Sequence, residues 1–272
     1  LRSFDTPADM YLGRKTKNIS KTTNRRLYNI SMYEKTRGIV LHVIKYSDRN
    51  SIAHLYTDTH GRMSFLLPQG NTRQARIRNA MFMPLSLIEF EARITTGRDL
   101  ASFKDCRYTA PFTRLYSDPA KSAVAMFISE LLTRSIQESE RNLPLFNFIA
   151  TSAQLLDSLD RGVANFHICF LYHLGAFVGI QPDTATYRNG YWFDMDNGIF
   201  TPRQPLHTHV LAPREAAVMM LLSRMTFANL HLFRFNRDQR NEILDIALSY
   251  YRLHNSTIGD MKSPDILRQV FD

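Results

Sequence analysis

Gly38-Ile39-Val40-Leu41-His42-Val43-Ile44-Lys45-Tyr46, followed by Ser47-Asp48-Arg49-Asn50, is the stretch that decides the fold of the front of this chain. Its β-branched and apolar residues favour extended backbone, and the Ser/Asp/Asn cluster behind them makes a turn. Working outward, further strands follow at short spacing. Residues 51–58 form the second, closed by Thr59-His60-Gly61, and residues 62–67 the third. Residues 81–93 form the fourth, with Pro84 at a bent or edge-like start because proline donates no ladder hydrogen bond. Thr95-Thr96-Gly97-Arg98-Asp99 turns into the last, residues 100–108. Short strands interrupted by one long polar loop, residues 68–79, predict a small closed barrel of the oligonucleotide-binding type. An SH3-like barrel carries the same signature.

After Pro111 the apolar period changes from two to 3.6. Asp118 caps a helix with Pro119 at its first position, and Val124, Phe127, Ile128, Leu131 and Leu132 share its inner face. A second helix spans residues 144–159, with Leu145, Phe148, Ile149, Leu155 and Leu156 inward. The third, residues 163–174, is apolar almost all round and belongs at the core. Tyr191-Trp192-Phe193 and Ile199-Phe200, joined through Asp196-Asn197-Gly198, predict a small inserted hairpin. Helices resume at residues 213–225 and 237–254, and Ser263-Pro264 caps a last one ending at Phe271. The fold class is α+β: a five-stranded barrel over residues 32–110, then a helical domain over residues 111–272.

Composition narrows the function classes. Residues 1–31 carry seven Lys/Arg against two Asp/Glu, and residues 32–110 twelve against seven, each a net +5; residues 111–272 are near neutral at −1. The basic front favours a polyanion as ligand. Residues 1–31 are polar and aperiodic and read as a disordered leader; the sharper reading makes Met32 the natural start. No long apolar stretch or secretory core is present, and Cys106 and Cys169 stand far apart, so a reduced cytoplasmic setting is expected, away from membranes. No phosphate-binding glycine loop, nucleophile elbow or zinc-protease motif occurs, so nothing argues for an enzyme. His207-Thr208-His209, with Asp194 and Asp196 nearby, is the one cluster of metal-ligand chemistry. Its spacing matches no closed zinc site, and we expect exposed loop histidines, no metal and no cofactor. Cys169, among Phe166, Ile168, Phe170 and Leu171, reads as a buried hydrophobe.

The densest positive charge is Arg73-Gln74-Ala75-Arg76-Ile77-Arg78, inside the long loop. Guanidinium groups on a mobile loop suit phosphate contacts, making Arg73, Arg76 and Arg78 the leading DNA-binding candidates. Lys45, Tyr46, Tyr56, Arg62 and Phe65 on the preceding strands are further candidates for a charged or stacking surface, although core packing is the better reading of Phe65.

Gly38-Ile39-Val40-Leu41, Tyr46-Ser47-Asp48, Tyr56-Thr57 and Gly61-Arg62 resemble the opening of the bacterial recombination protein O family. Gln69-Gly70 before the arginines is similar to that family's basic loop, where Lys-Gly often stands. Glu130-Leu131-Leu132 with Arg134, His173-Leu174-Gly175, and Lys262-Ser263-Pro264-Asp265-Ile266-Leu267 extend the resemblance in order through the chain. The resemblance implies an oligonucleotide-binding barrel and a non-catalytic mediator of recombinational repair. Such a protein binds single- and double-stranded DNA, anneals complementary strands and helps load recombinase onto strands coated by single-strand-binding protein. Its implied partners are recombination protein R and the acidic tail of single-strand-binding protein. For that tail, Arg134, Arg161 and Leu131 are the candidate contacts. Many members carry a four-cysteine zinc finger between helices; here the equivalent residues 181–206 contain no cysteine, so the hairpin is expected to fold without zinc. The competing reading is an RNA-binding or regulatory protein on the same barrel, with the helices as an oligomerisation scaffold.

Overall fold

Alternation along β1 (Tyr33–Lys45) sets the architecture, because its two faces enter two different cores. The structure, a computed structural model, describes residues 33–94, 100–137 and 139–271. The leader with Met32 and the expected turn at residues 95–99 lie outside the described residues. β1, β2 (Asn50–Thr57), β3 (Gly61–Pro68), β4 (Leu87–Arg93) and β5 (Leu100–Ala110) close into a barrel in the order β1-β2-β3-β5-β4. All pairings are antiparallel except β3 with β5. This order, with a helix between β3 and β4, is that of an oligonucleotide-binding barrel, so the SH3-like alternative falls away.

Val40 points into the barrel and meets Ala53, Leu55, Phe65, Leu67, Ile88 and Phe90. Gly38 lies in the same row because nothing larger fits: a Cβ there would stand 2.7 Å from Leu55 Cδ2 and 2.9 Å from Phe90 Cε1. Ile39 and Leu41 point the other way. With Tyr56, Leu85 and Leu87 they join the large core of the helical part. A register shift between Val40 and His42 bulges the strand and turns Leu41 outward. Each fully buried Ile or Leu contributes about 1.5–3 kcal/mol, so this junction is a substantial part of the molecule's stability.

Two expectations for the barrel need correction. The long loop contains a helix, α1 (Arg73–Ala80), capped by Thr72, whose Oγ1 accepts from the Ala75 amide at 3.1 Å. The fourth strand starts at Leu87 and not at residue 81, because Leu85 has φ +65°, a left-handed turn incompatible with a strand.

The helical part follows the sequence reading closely. Asp118 caps α2 (Pro119–Ser135), its Oδ1 accepting from the amides of Ala120 and Lys121 at 2.9 and 3.3 Å. α3 (Leu143–Ser158) buries Leu145, Ile149 and Leu156, while Leu155 is exposed, against expectation. α4 (Val163–Phe177) runs through the core. The hairpin β6 (Trp192–Asp194) and β7 (Ile199–Thr201) forms as expected and gains a third strand, β8 (Val210–Leu211). α5 (Pro213–Ser223), α6 (Arg237–His254) and α7 (Ser263–Val270) complete the chain. The start of α7 is held by Glu130 of α2, whose carboxylate accepts from the amides of Lys262 and Ser263, and not by a Ser263 side-chain cap. Among the described residues no helix is long and apolar enough to cross a membrane.

Candidate nucleic-acid interface

α1 owes its position to the end of β3. Arg78 donates from Nη2 to the Pro68 carbonyl, and Asn79 Nδ2 donates to Gln69 Oε1 at 2.8 Å. Only Ala75 of this helix is buried, so its charged face is turned to solvent. Arg73 and Arg76 are exposed there, one turn apart. Arg78 is half-buried and tied to its own scaffold. The sequence reading grouped the three; the structure separates them.

Strand pairing brings a second basic element to the same end of the barrel. Asn50 pairs with Pro68, and the Gln69 amide donates to the Arg49 carbonyl at 2.7 Å. The β1–β2 turn, with Lys45, Tyr46 and Arg49 all exposed, therefore adjoins the connection into α1. Lys45 has a neighbouring carboxylate, Asp48, at 3.4 Å, on a fully solvated pair that holds little energy. Tyr46 is 64% exposed and has no core to fill. Arg49 went unnoticed in the sequence because a turn residue carries no pattern; its value comes from the register that seats it beside α1. Among the described residues Arg49, Arg73 and Arg76 have no carboxylate partner. The outer face of β4 and β5 is different, since Lys35 and Arg107 neutralise Glu89 and Lys104 neutralises Glu91.

Three of the other candidates are occupied elsewhere. Tyr56 and Phe65 are core residues, at 1% and 0% exposure. Arg62 reaches out of β3 to the end of α2, where Nη1 donates to the carbonyls of Thr133 (2.9 Å) and Ile136 (3.1 Å) and to Gln137 Oε1 (3.1 Å). It caps a helix C-terminus, where carbonyls lack intrahelical partners and the dipole favours a cation. Beside it His42 and His54 stack at 4.3 Å, with His42 Nδ1 3.2 Å from Thr133 Oγ1. Burial, reinforced by His54 and the Arg62 charge, lowers His42 to about 4; burial and Arg62 also lower His54. This is a joint between barrel and helices, and Arg62 is a strut in it.

The candidate partner contacts also divide. Leu131 is fully buried and cannot touch a partner. Arg134 spends Nη1 on the Ile258 carbonyl at 3.0 Å and Nη2 on Glu130 at 2.9 Å. Arg161 is exposed and lines an open groove of about 450 Å³ with Leu232, Phe233, Arg234 and Arg240. Leu232 is 67% exposed at its edge.

The hairpin shows an arrangement that spacing alone did not predict. The donor atoms of Asp196, His207 and His209 lie within 4.8 Å of one another. His207 is half-buried, so the reading of both residues as exposed loop histidines holds only for His209. Burial would raise the Asp194 carboxyl, but hydrogen bonds from Asn197, with the His207 imidazole close by, outweigh it and pull the group down. A thiolate zinc finger does not fit this chain: Cys169 lies in α4, its thiol pushed up to about 12 by burial.

Known proteins resemble both parts of the chain. Residues 32–112 match the family model Recombination protein O N terminal, and residues 116–257 match Recombination protein O C terminal. The chain is similar to proteins named DNA repair protein RecO. It is 41% identical to that of Phocaeicola vulgatus over 240 residues, covering 88% of this chain and all of the relative. The Bacteroides fragilis protein is 41% identical over 242 residues (89% of this chain, all of the relative). That of Flavobacterium johnsoniae is 33% identical over 242 residues (88% and all).

Proposed function

The chain belongs to the recombination protein O family of DNA repair proteins, and from that premise we propose that it is a cytoplasmic, non-catalytic mediator that binds single- and double-stranded DNA and anneals complementary strands. The observation that carries this reading is the basic rim formed by Arg49, Arg73 and Arg76, with Lys45 and Tyr46 beside them. Arginines without a carboxylate partner are available to phosphate oxygens, and an exposed tyrosine offers a face on which a base stacks. Arg78 orders α1 and supports the rim from behind. Because phosphate contacts carry no sequence information, binding is general and salt-sensitive, which suits a protein acting on any damaged locus.

The same reading assigns the groove at Arg161 to the acidic tail of single-strand-binding protein. A tail with carboxylates and a terminal Phe needs an apolar floor with a cationic rim. Phe233 supplies the floor and Leu232 an apolar edge; Arg161, Arg234 and Arg240 supply the cationic rim. Recombination protein R is the partner for loading recombinase. The deciding experiment measures binding of the full chain to single-stranded DNA, duplex DNA and a matched RNA, with strand annealing followed in parallel. The reading expects annealing and no preference for RNA. Tighter RNA binding without annealing of DNA would replace it with an RNA-binding role.

A further inference from the structure

Asp194 ends β6, Asp196 stands in the β6–β7 turn, and His207 and His209 lie on the loop between β7 and β8. The Met195 amide donates to the His209 carbonyl at 3.0 Å, which lays that loop across the turn. Asp196 then faces both imidazoles: Oδ2 is 3.2 Å from His207 Nδ1 and Oδ1 is 3.0 Å from His209 Nδ1. A tetrahedral ion with bonds of about 2.0–2.1 Å holds its donors about 3.3 Å apart; both imidazole–carboxylate separations are near that value, and the three donor atoms lie within 4.8 Å of one another.

The hydrogen bonding of His207 is the independent sign. Both ring nitrogens are shielded from solvent, and each faces a carboxylate oxygen at 3.2 Å without reaching hydrogen-bond alignment. Buried polar atoms are seldom left so, and an unmade ion contact is one of the ordinary reasons. Asp194 Oδ1 stands 3.2 Å from His207 Nε2. Asp194 is itself buried and held by the amides of Asp196 and Asn197 at 3.0 Å each and by Asn197 Nδ2 at 2.9 Å. A fixed carboxylate behind a histidine is what orients a metal-binding imidazole and selects its tautomer, with Nε2 carrying the proton and Nδ1 free to ligate. Charge agrees as well. Two carboxylates face two imidazoles, and the ion pairs of Asp194 and Asp196 among the described residues run to His207 and His209, so a divalent cation would balance the cluster.

We propose that Asp196, His207 and His209 form a binding site for a divalent transition ion of the zinc type, with Asp194 as the positioning residue behind His207. Imidazole and carboxylate suit zinc or cobalt over calcium or magnesium, and three protein ligands leave a position for water. The ion pins the β7–β8 loop to the β6–β7 turn, doing with nitrogen and oxygen donors what thiolates do in a zinc finger.

The test uses the full chain, stripped with a chelator and titrated with Co²⁺ and Zn²⁺. The expected result is visible d–d absorption at one Co²⁺ per chain, displaced by Zn²⁺, and a Zn²⁺-dependent rise in thermal midpoint. His209→Ala and Asp196→Asn, both at the surface, should abolish both signals while the metal-free midpoint stays close to that of the parent. Asp194→Asn should weaken the metal about 10–100-fold without removing the site. No cobalt spectrum in the parent, or binding of equal strength in His209→Ala, would overturn the proposal; the first outcome leaves the cluster as imidazole–carboxylate ion pairs and the second puts the metal elsewhere.

Discussion

Replacing Arg73 and Arg76 together by Ala removes two exposed guanidinium groups from α1 and leaves the helix seated through Arg78 and Asn79. Each phosphate neutralised on a single strand contributes about −0.7 to the slope of log K against log salt. Losing both contacts therefore flattens the slope by about 1.4. Between about 50 and 200 mM salt, a fourfold range, the variant should lose roughly sevenfold less affinity than the parent. The weakening at low salt should be equal for oligonucleotides of unrelated sequence. Adding Arg78→Ala should leave the slope where the double variant put it, because Arg78 is committed to the Pro68 carbonyl. It should instead lower stability, by about 1 kcal/mol. Fluorescence anisotropy with labelled single strands, alongside thermal unfolding, measures all of this. An unchanged slope in a folded double variant would remove α1 from the DNA path. A triple variant flattened by about 2.1 units would show Arg78 leaving its carbonyl to bind phosphate.

Arg62→Ala should destabilise the chain by about 2 kcal/mol, the scale of hydrogen bonds to a charged group, while the salt slope of DNA binding stays that of the parent; a changed slope with unchanged stability would restore Arg62 to the DNA surface. His42 is neutral in the folded protein down to about pH 4 and takes up a proton in the unfolded chain below about 6.5. Its contribution is therefore complete above pH 6.5 and is lost as pH falls toward 4, about 1–2 kcal/mol after discounting for its partial exposure. Denaturant unfolding of His42→Gln across that window should show a correspondingly weaker acid loss, and identical pH profiles would refute the assignment. Gly38→Ala should cost about 1–3 kcal/mol by crowding Leu55 and Phe90, with DNA affinity unchanged, as read by chemical unfolding and anisotropy. A fluorescent acidic tail peptide should bind the full chain, and Arg161→Ala with Arg234→Ala should abolish capture. Equal affinity for a peptide lacking its final Phe would exclude the groove as its receptor.

The barrel was legible because strand alternation is local: the inward and outward residues of β1 follow from a period of two. α1 was not, since Arg73-Gln74-Ala75-Arg76-Ile77-Arg78-Asn79 has no apolar stripe, and its signal was one capping threonine, Thr72. Helices α2 to α4 declared themselves through Asp118, Pro119 and their apolar faces. Leu155 was misassigned because a broad apolar stripe does not state which edge meets solvent. At the sites, residue type was readable and commitment was not. Arg62, Arg78 and Arg134 look like Arg73 and Arg161 in sequence, and only tertiary neighbours such as Thr133, Pro68 and Ile258 distinguish a tied arginine from a free one. The meeting of His207 with Asp194 and Asp196 depends on the path of a loop, which spacing does not encode.

The packing of Ile39, Leu41, Tyr56 and Leu87 against α2 and its neighbours has a corollary for dissection and substitution. A cut near residue 111 would lay bare an apolar patch on one fragment and its complement on the other, which couples the regions matched by the two family models. Large changes of side-chain volume at that seam are felt on both sides of it. The exposed arginines of α1 and the arginine-lined groove stand outside it, so substitutions there leave the packing between barrel and helices undisturbed.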